Sequence, residues 1–431
     1  PKEGGGFDLP IAIGILLASE QIPDKQIKDQ EFIGELALSG DIRPVKGILP
    51  IAIGCKQGNK TLFFPADNLT EVSLVSNLNA FPSHHLLQLT AHFNNKEKLS
   101  PLFASPDKVA SSHKHPCLSD IKGQHQAKRA LLIAASGSHS LLMVGPPGSG
   151  KSMLAQRLPG ILPSLSEEQA LETAAVHSIS HFNFNAESWR EPPFRAPHHS
   201  ASAAALVGGG SIPKPGEISL AHNGVLFLDE LTEFDRHTLD VLREPIENGY
   251  ISLSRVALKT RYPSRFQLIA AMNPCPCGYL GDSKRACGTC TAEQIKRYQG
   301  KISGPVMDRI DLHIEVPAVP ASLLSQQTCD EESSDSIRKR VQDVRQIQLD
   351  RQGITNNQLD NKQLLQLARL DHAGMQLIEQ AIDKLGLSAR AYHRILRVSR
   401  TIADLDHSAA IESKHIAESI AYRKLDREKR F

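Results

Sequence analysis

The segment Gly145-Pro146-Pro147-Gly148-Ser149-Gly150-Lys151-Ser152 fits the pattern G-x-x-x-x-G-K-[ST]. It follows the apolar run LLMV and leads into MLAQRL, so it reads as a strand, a loop and a helix. Glycines in such a loop let backbone N–H groups turn inward around phosphate oxygens, and the helix start adds partial positive charge. Lys151 is placed to reach the β- and γ-phosphates of ATP and Ser152 to ligate Mg²⁺, with Met153 the next residue of the cradle. The run VLFLDE supplies the other half of the chemistry. A buried strand there ends in Asp229 for the Mg²⁺ shell and Glu230 to orient or deprotonate water.

A third strand, FQLIAAMN, ends on Asn273, where a side-chain amide can meet the attacking water or the γ-phosphate. Charge on a transferring phosphoryl group also needs a cation, and the loop offers a lysine but no arginine. Arg309 in SGPVMDRIDLH and Arg390 in LSARAYHRILR are the candidates. Four of the seven cysteines, Cys275, Cys277, Cys287 and Cys290, lie in PCPCGYLGDSKRACGTC. C-x-C followed by C-x₂-C, with no secretory signal ahead of it, favours tetrahedral Zn²⁺, with free thiols as the alternative. Four thiolates leave no open position, so the expected ion is a structural clip between Asn273 and Arg309. The pair His198-His199 reads as a loop element: adjacent side chains diverge in an extended chain, and no acidic or cysteine partner is near in sequence.

A chain of 431 residues exceeds one core and predicts two or three domains. Its 40% hydrophobic and 22% charged content is that of a globular protein. A net charge of only +2 means that nucleic acid binding must come from a local basic stripe. The apolar run IAIGILLA is too short to span a bilayer, and no signal peptide is present, so the expectation is a cytoplasmic protein without membrane contact. The chain opens on PKEGGG without an initiator methionine, which predicts further residues upstream of Pro1. Residues 1–104 mix strand-like runs (FIGELALSG, TLFFPAD) with helical ones (IAIGILLASEQ, ILPIAIGCKQG), and 105–116 reads as a polar linker. Residues 117–316 carry the nucleotide chemistry in an α/β pattern. From 317 to 431 the chain turns helical, with Ile337, Val341, Val344 and Ile347 on one face.

The order of phosphate loop, DE strand, Asn273, S-G-P-x-x-D-R-I-D and S-x-R resembles AAA+ ATPases of the magnesium-chelatase and replicative-helicase branch. More narrowly, FRAPHHSASAAALVGGGSIPKPGEISLAHNGVLFLDELTEF is similar to the ComM/YifB family of magnesium-chelatase-like ATPases, and the likeness covers nearly the whole chain. The resemblance implies a P-loop AAA+ core with a helical C-terminal lid. It makes Arg309 an arginine finger acting on a neighbouring subunit's ATP and Arg390 a lid arginine acting on its own. A finger given in trans implies a ring, in this branch usually a homo-hexamer.

Two excursions suggest what such a ring grips. Phe194 to Gly216 is rich in Gly, Pro, Ser and His and too poor in large apolar residues to be core. YISLSRVALKTRYPSRFQLIA reads as two strands around a turn near Val256 to Lys259, carrying Arg255, Lys259, Arg261 and Arg265. In the helicase branch, insertions at these two places face the central pore. A basic hairpin suits single-stranded, duplex or branched DNA, whose phosphates it meets without reading sequence; a solvated charged surface is the alternative.

Residues 1–104 also resemble the Lon-protease-like domain, an α+β fold, through PKEGGGFDLPIAIGILLAS and FIGELALSGDIRPVKGILPIAIG. The protease version needs a serine and a lysine where this chain has Gly6 and Leu49, with Lys46 out of register, so no acyl-enzyme can form. Family membership implies a hexameric helicase driving branch migration as incoming DNA recombines in natural transformation. A metal-chelatase-type motor remodelling a protein partner is the alternative, and an ATP-dependent protease is opposed by Gly6 and Leu49.

Overall fold

The computed structural model describes residues 5–24, 27–102, 115–180, 188–210, 213–254, 259–282, 285–320, 322, 331–385 and 388–423. The chain forms two compact units, Pro1–His113 with Leu165–Glu191, and Lys114–Ser164 with Pro192–Phe431. The linker expected at 105–116 lies almost wholly outside the described residues.

In the first unit, β1 (Gln30–Phe32), β4 (Thr61–Pro65) and β5 (Ala80–Ser83) make a parallel sheet in the order β1-β4-β5. Between β1 and β4, β2 (Glu35–Leu36) and β3 (Ile42–Arg43) form an antiparallel pair. The helices Asp8–Ala18 and Ile48–Gln57 fall on the two apolar runs that predict them. The helix Glu167–Ile179 belongs here too: Ser166 and Gln169 cap it reciprocally, and Ala170 and Ala174 join Ile48, Leu49, Leu62 and Leu74 in one core. Part of the long interval between Lys151 and Asp229 is therefore a helix of this unit.

In the second unit, β6 (Leu141–Val144), β7 (Phe194–Arg195), β10 (Val225–Leu228), β13 (Gln267–Met272) and β14 (Leu312–Glu315) form one sheet, ordered β14-β6-β13-β10-β7. Each neighbouring pair is parallel. β6, β10 and β13 are buried throughout, the pattern of a sheet covered on both faces. Alternate residues divide the faces. Leu141, Met143, Val225, Phe227, Ile269 and Ala271 pack with Leu131, Leu154 and Val341, whereas Leu142, Val144, Leu226, Leu228 and Leu268 pack with Leu206, Ile218 and Ile310.

Two short pairs complete the strands: β8 (Gly208–Gly209) with β9 (Lys214–Pro215), and β11 (Tyr250–Ser254) with β12 (Lys259–Pro263), both antiparallel. The excursion Phe194 to Gly216 is not free of core, because Leu206 is fully buried and β7 closes the sheet edge. The C-terminal helices build their own core from Leu364, Ile378, Ile395, Leu396 and Ile416. On the helix Ser334–Gln352 the buried face runs Ile337, Val341, Val344 and Gln348, and Ile347 is exposed. Gln348 can be buried because it donates to the Ser136 carbonyl and accepts from the Asn356 N–H. Among the described residues, no helix is long and apolar enough to cross a membrane.

Candidate nucleotide site and its arginines

The phosphate loop leaves the end of β6 and enters the helix Lys151–Ile161. Gly148 and Gly150 hold φ of +74° and +93°, which a residue with a Cβ adopts only under strain. At Gly145 a Cβ would lie 2.1 Å from the Val316 carbonyl, so the loop must start on glycine to pass the end of β14. The Gly145 N–H donates to the Met272 carbonyl of β13, which ties the loop to the strand leading to Asn273. First-turn N–H groups of the helix have no carbonyl ahead of them and are the donors that a phosphate satisfies.

Lys151 is buried and donates to the carbonyls of Gly145 (2.7 Å) and Pro146 (2.9 Å) and to Asn273 Oδ1 (3.3 Å). Burial pushes its ammonium below the ordinary value, against the attraction of Asp229 and Glu230. Ser152 Oγ donates to Asp229 Oδ2 at 2.6 Å, so the two oxygens expected to share Mg²⁺ are neighbours. The chemistry fits: a hydroxyl and a carboxylate, beside a phosphate cradle, are ligands of a hard cation. Glu230 is exposed, and its carboxylate lies 3.0 Å from His199 Nδ1. The histidine pair does lie in a loop, but its rings do not diverge: those of His198 and His199 sit 4.1 Å apart, and an acid meets His199. The chain beyond β7 brings His199 to Glu230, a long-range meeting that local spacing does not encode.

Gln124, missed by motif, donates to the carbonyls of Ser149 (3.2 Å) and Pro317 (2.7 Å). It lines a cleft of about 800 Å³ with Lys128, Arg129, Val319 and Glu331 among others. The signal available in sequence was the turn Ile121-Lys122-Gly123-Gln124 ahead of an apolar helix.

The four cysteines converge. Sγ atoms of Cys275, Cys277 and Cys287 lie 3.4–3.7 Å apart, and all four lie within 4.8 Å of one another. Tetrahedral Zn²⁺ with sulfurs at about 2.3 Å requires S···S of about 3.8 Å, so the donor set fits that ion. The Tyr279 N–H lowers the Cys277 thiol, toward the thiolate that a metal binds. Within this loop Gly278 (φ +85°) packs so closely on Pro147 that a Cβ would lie 2.6 Å from it. The cysteine loop thus abuts the phosphate loop.

Arg309 is 7% exposed, ion-paired with Glu247, and donates from Nη1 to the Pro305 carbonyl. Arg390 is exposed in the first turn of the helix Ala389–Leu405. One turn further on, Arg394 pairs with Asp311, whose Oδ2 also accepts from the Ser140 N–H and hydroxyl, each at 2.9 Å. On the hairpin, Lys259 and Arg261 are exposed, and Arg261 stacks on the Tyr250 ring. Arg265 lies at the hairpin base against Gly249, and Arg255 lies outside the described residues.

A parallel sheet of this order, with its phosphate loop, acid-ended strand and helical C-terminal region, defines a P-loop protein of the AAA+ class. Residues 117–324 match the model "Magnesium chelatase, subunit ChlI", 331–423 its C-terminal counterpart, and 1–68 "Subunit ChlI of Mg-chelatase". The chain is 49% identical to the competence protein ComM of Haemophilus influenzae over 99% of its length and 84% of that protein's. It is 47% identical to YifB of Escherichia coli K12, covering 99% of this chain and 83% of the relative. A 28% identity to the magnesium-chelatase 38 kDa subunit of Cereibacter sphaeroides covers 36% of this chain and 52% of that subunit. The chain belongs to the ComM/YifB family of magnesium-chelatase-like AAA+ proteins.

Proposed function

We propose that this protein is a cytoplasmic, ATP-hydrolysing ring, a homo-hexamer, that moves DNA and promotes branch migration during recombination in natural transformation. The observation that carries the reading is the antiparallel pair of strands Tyr250–Ser254 and Lys259–Pro263, with exposed Lys259 and Arg261, built into a nucleotide-binding unit. The likeness to a relative named for competence supports the same biology. In the mechanism, backbone N–H groups of Gly148–Met153 and Lys151 hold the phosphates, and the cleft at Gln124 takes the base and sugar. Ser152 and Asp229 would hold Mg²⁺, which would supply charge neutralisation of the phosphates. Glu230 takes a proton from the attacking water, Asn273 orients that water, and Arg390 contacts the γ-phosphate of its own subunit. Arg309 reaches the neighbour's. Cys275, Cys277, Cys287 and Cys290 would hold Zn²⁺, which supplies a fixed cross-link.

Residues 117–316 form the motor, 317–431 the helical linker and lid, and 1–104 a non-catalytic Lon-like scaffold, where Leu49 is core and Gly6 carries no hydroxyl. The match to chelatase models favours a second reading, a motor remodelling a protein partner. Steady-state ATP hydrolysis measured alone and with single-stranded, duplex and four-way-junction DNA separates the two. DNA raises the rate if DNA is the track, and an unchanged rate with all three favours the protein partner.

A further inference from the structure

The helix Arg243–Asn248 grips the segment that carries Arg309 at two points. Arg243 Nη2 donates to Ser303 Oγ at 2.9 Å, at the start of the helix Gly304–Met307. One turn later, Glu247 pairs with Arg309 itself. The same helix runs straight into the hairpin: it ends at Gly249 (φ +71°), and β11 begins at Tyr250. The Ser264 N–H donates to the Gly249 carbonyl, closing the hairpin base on that glycine. Hairpin and arginine are therefore joined by a single turn-and-a-half helix.

The exposures are opposite to what a trans-acting arginine needs. Arg309 is buried at 7%, while the side chain of Glu247 is 50% exposed. A guanidinium held in this way must leave its carboxylate before it can meet another subunit's phosphate. We infer that Glu247 is the positioning residue of Arg309: it retains the arginine within its own subunit until phosphates on Lys259 and Arg261 shift the hairpin and the helix Arg243–Asn248. Release then delivers the guanidinium to the neighbouring nucleotide, so that hydrolysis is fast only with DNA in place. The inference rests on the proposed roles of Arg309 and of the hairpin.

The test is Glu247→Gln in the full chain, with steady-state ATP hydrolysis measured alone and with a synthetic four-way DNA junction. Glu247 is half exposed, so the substitution leaves the fold standing, and Glu247→Ala must act in the same direction. The DNA-free kcat should rise about 5-fold or more, with KM for ATP unchanged, and stimulation by the junction should shrink by the same factor. Adding Arg309→Ala to Glu247→Gln should abolish the gain, which a loosened fold would not predict. Unchanged basal rate and stimulation in Glu247→Gln, while Arg309→Ala is inactive, would overturn the inference and leave the arginine assignment intact. Full activity of Arg309→Ala would overturn that assignment and the inference with it.

Discussion

At Glu230, just beyond β10, the backbone takes a left-handed φ of 50°. Asp229 stays on Ser152, and Glu230 points to His199. The two acids thus have different partners, and their proposed roles, one beside the metal and one beside the attacking water, predict different outcomes on substitution. Glu230→Gln keeps Lys151, Ser152 and Asp229, so affinity for a fluorescent ATP analogue should hold within experimental error. Turnover should fall by about 10²–10⁴-fold, the usual contribution of a general base. Hydrolysis near the wild-type rate would remove Glu230 from its role. Lys151→Ala acts earlier in the sequence of events and should lose nucleotide binding itself, because its ammonium is the cradle's one side-chain cation.

Among the elements, the joint between β14 and the helix Ala389–Leu405 rests on Asp311. Burial by itself pushes this carboxyl up, but Arg394, His139 and the Ser140 N–H outweigh it and hold it well below the ordinary range. A carboxyl depressed in the folded state contributes its full stabilisation above its unfolded value, about 3.9, and loses it as pH falls below that value. Arg394→Met leaves the carboxylate buried without its cation and should cost about 3–5 kcal/mol at neutral pH. Urea unfolding of both proteins from about pH 7 down to pH 3 measures this, with a smaller acid loss expected in the variant. Equal stability at neutral pH would contradict the account of the joint. The phosphate loop, the DE strand, the hairpin and the cysteine loop were all legible because each is local: a few residues in fixed spacing carry the whole signal. Gln124, Asp311 with Arg394, and His199 with Glu230 were not, since their partners lie far apart in sequence and meet only through the sheet order. The helix Glu167–Ile179 announces its start by Ser166 and Gln169, but nothing near it says that its apolar face belongs with Ile48 and Leu74. Gln348 in place of Ile347 is a similar case, where a buried amide satisfied from two directions displaces an apolar side chain from the expected face.

On the scale of the whole molecule, a ring is required only if one subunit completes another's site. Arg309→Ala should lower hydrolysis by about 10³–10⁵-fold with nucleotide affinity nearly intact. Mixed with Lys151→Ala subunits it should regain part of that rate, because an intact pocket on one variant can face an intact arginine on the other. Rings shown to be mixed yet still inactive would place Arg309 in its own subunit's site. On the proposed reading, action on DNA depends on the hairpin. Lys259→Ala with Arg261→Ala removes two phosphate partners, leaves Lys151, Asp229, Glu230 and Arg309 untouched, and should spare basal hydrolysis. The slope of log affinity against log salt should fall by up to about 1.4–1.8, and by less if the Tyr250 ring already engages Arg261. The decisive measurement is branch migration of a synthetic four-way junction, with ATP, by the wild-type chain and by this double variant. ATP-dependent migration by the wild type and its loss in the variant, with basal hydrolysis retained, is the predicted result; a variant that migrates junctions at the wild-type rate with an unchanged salt slope would contradict it.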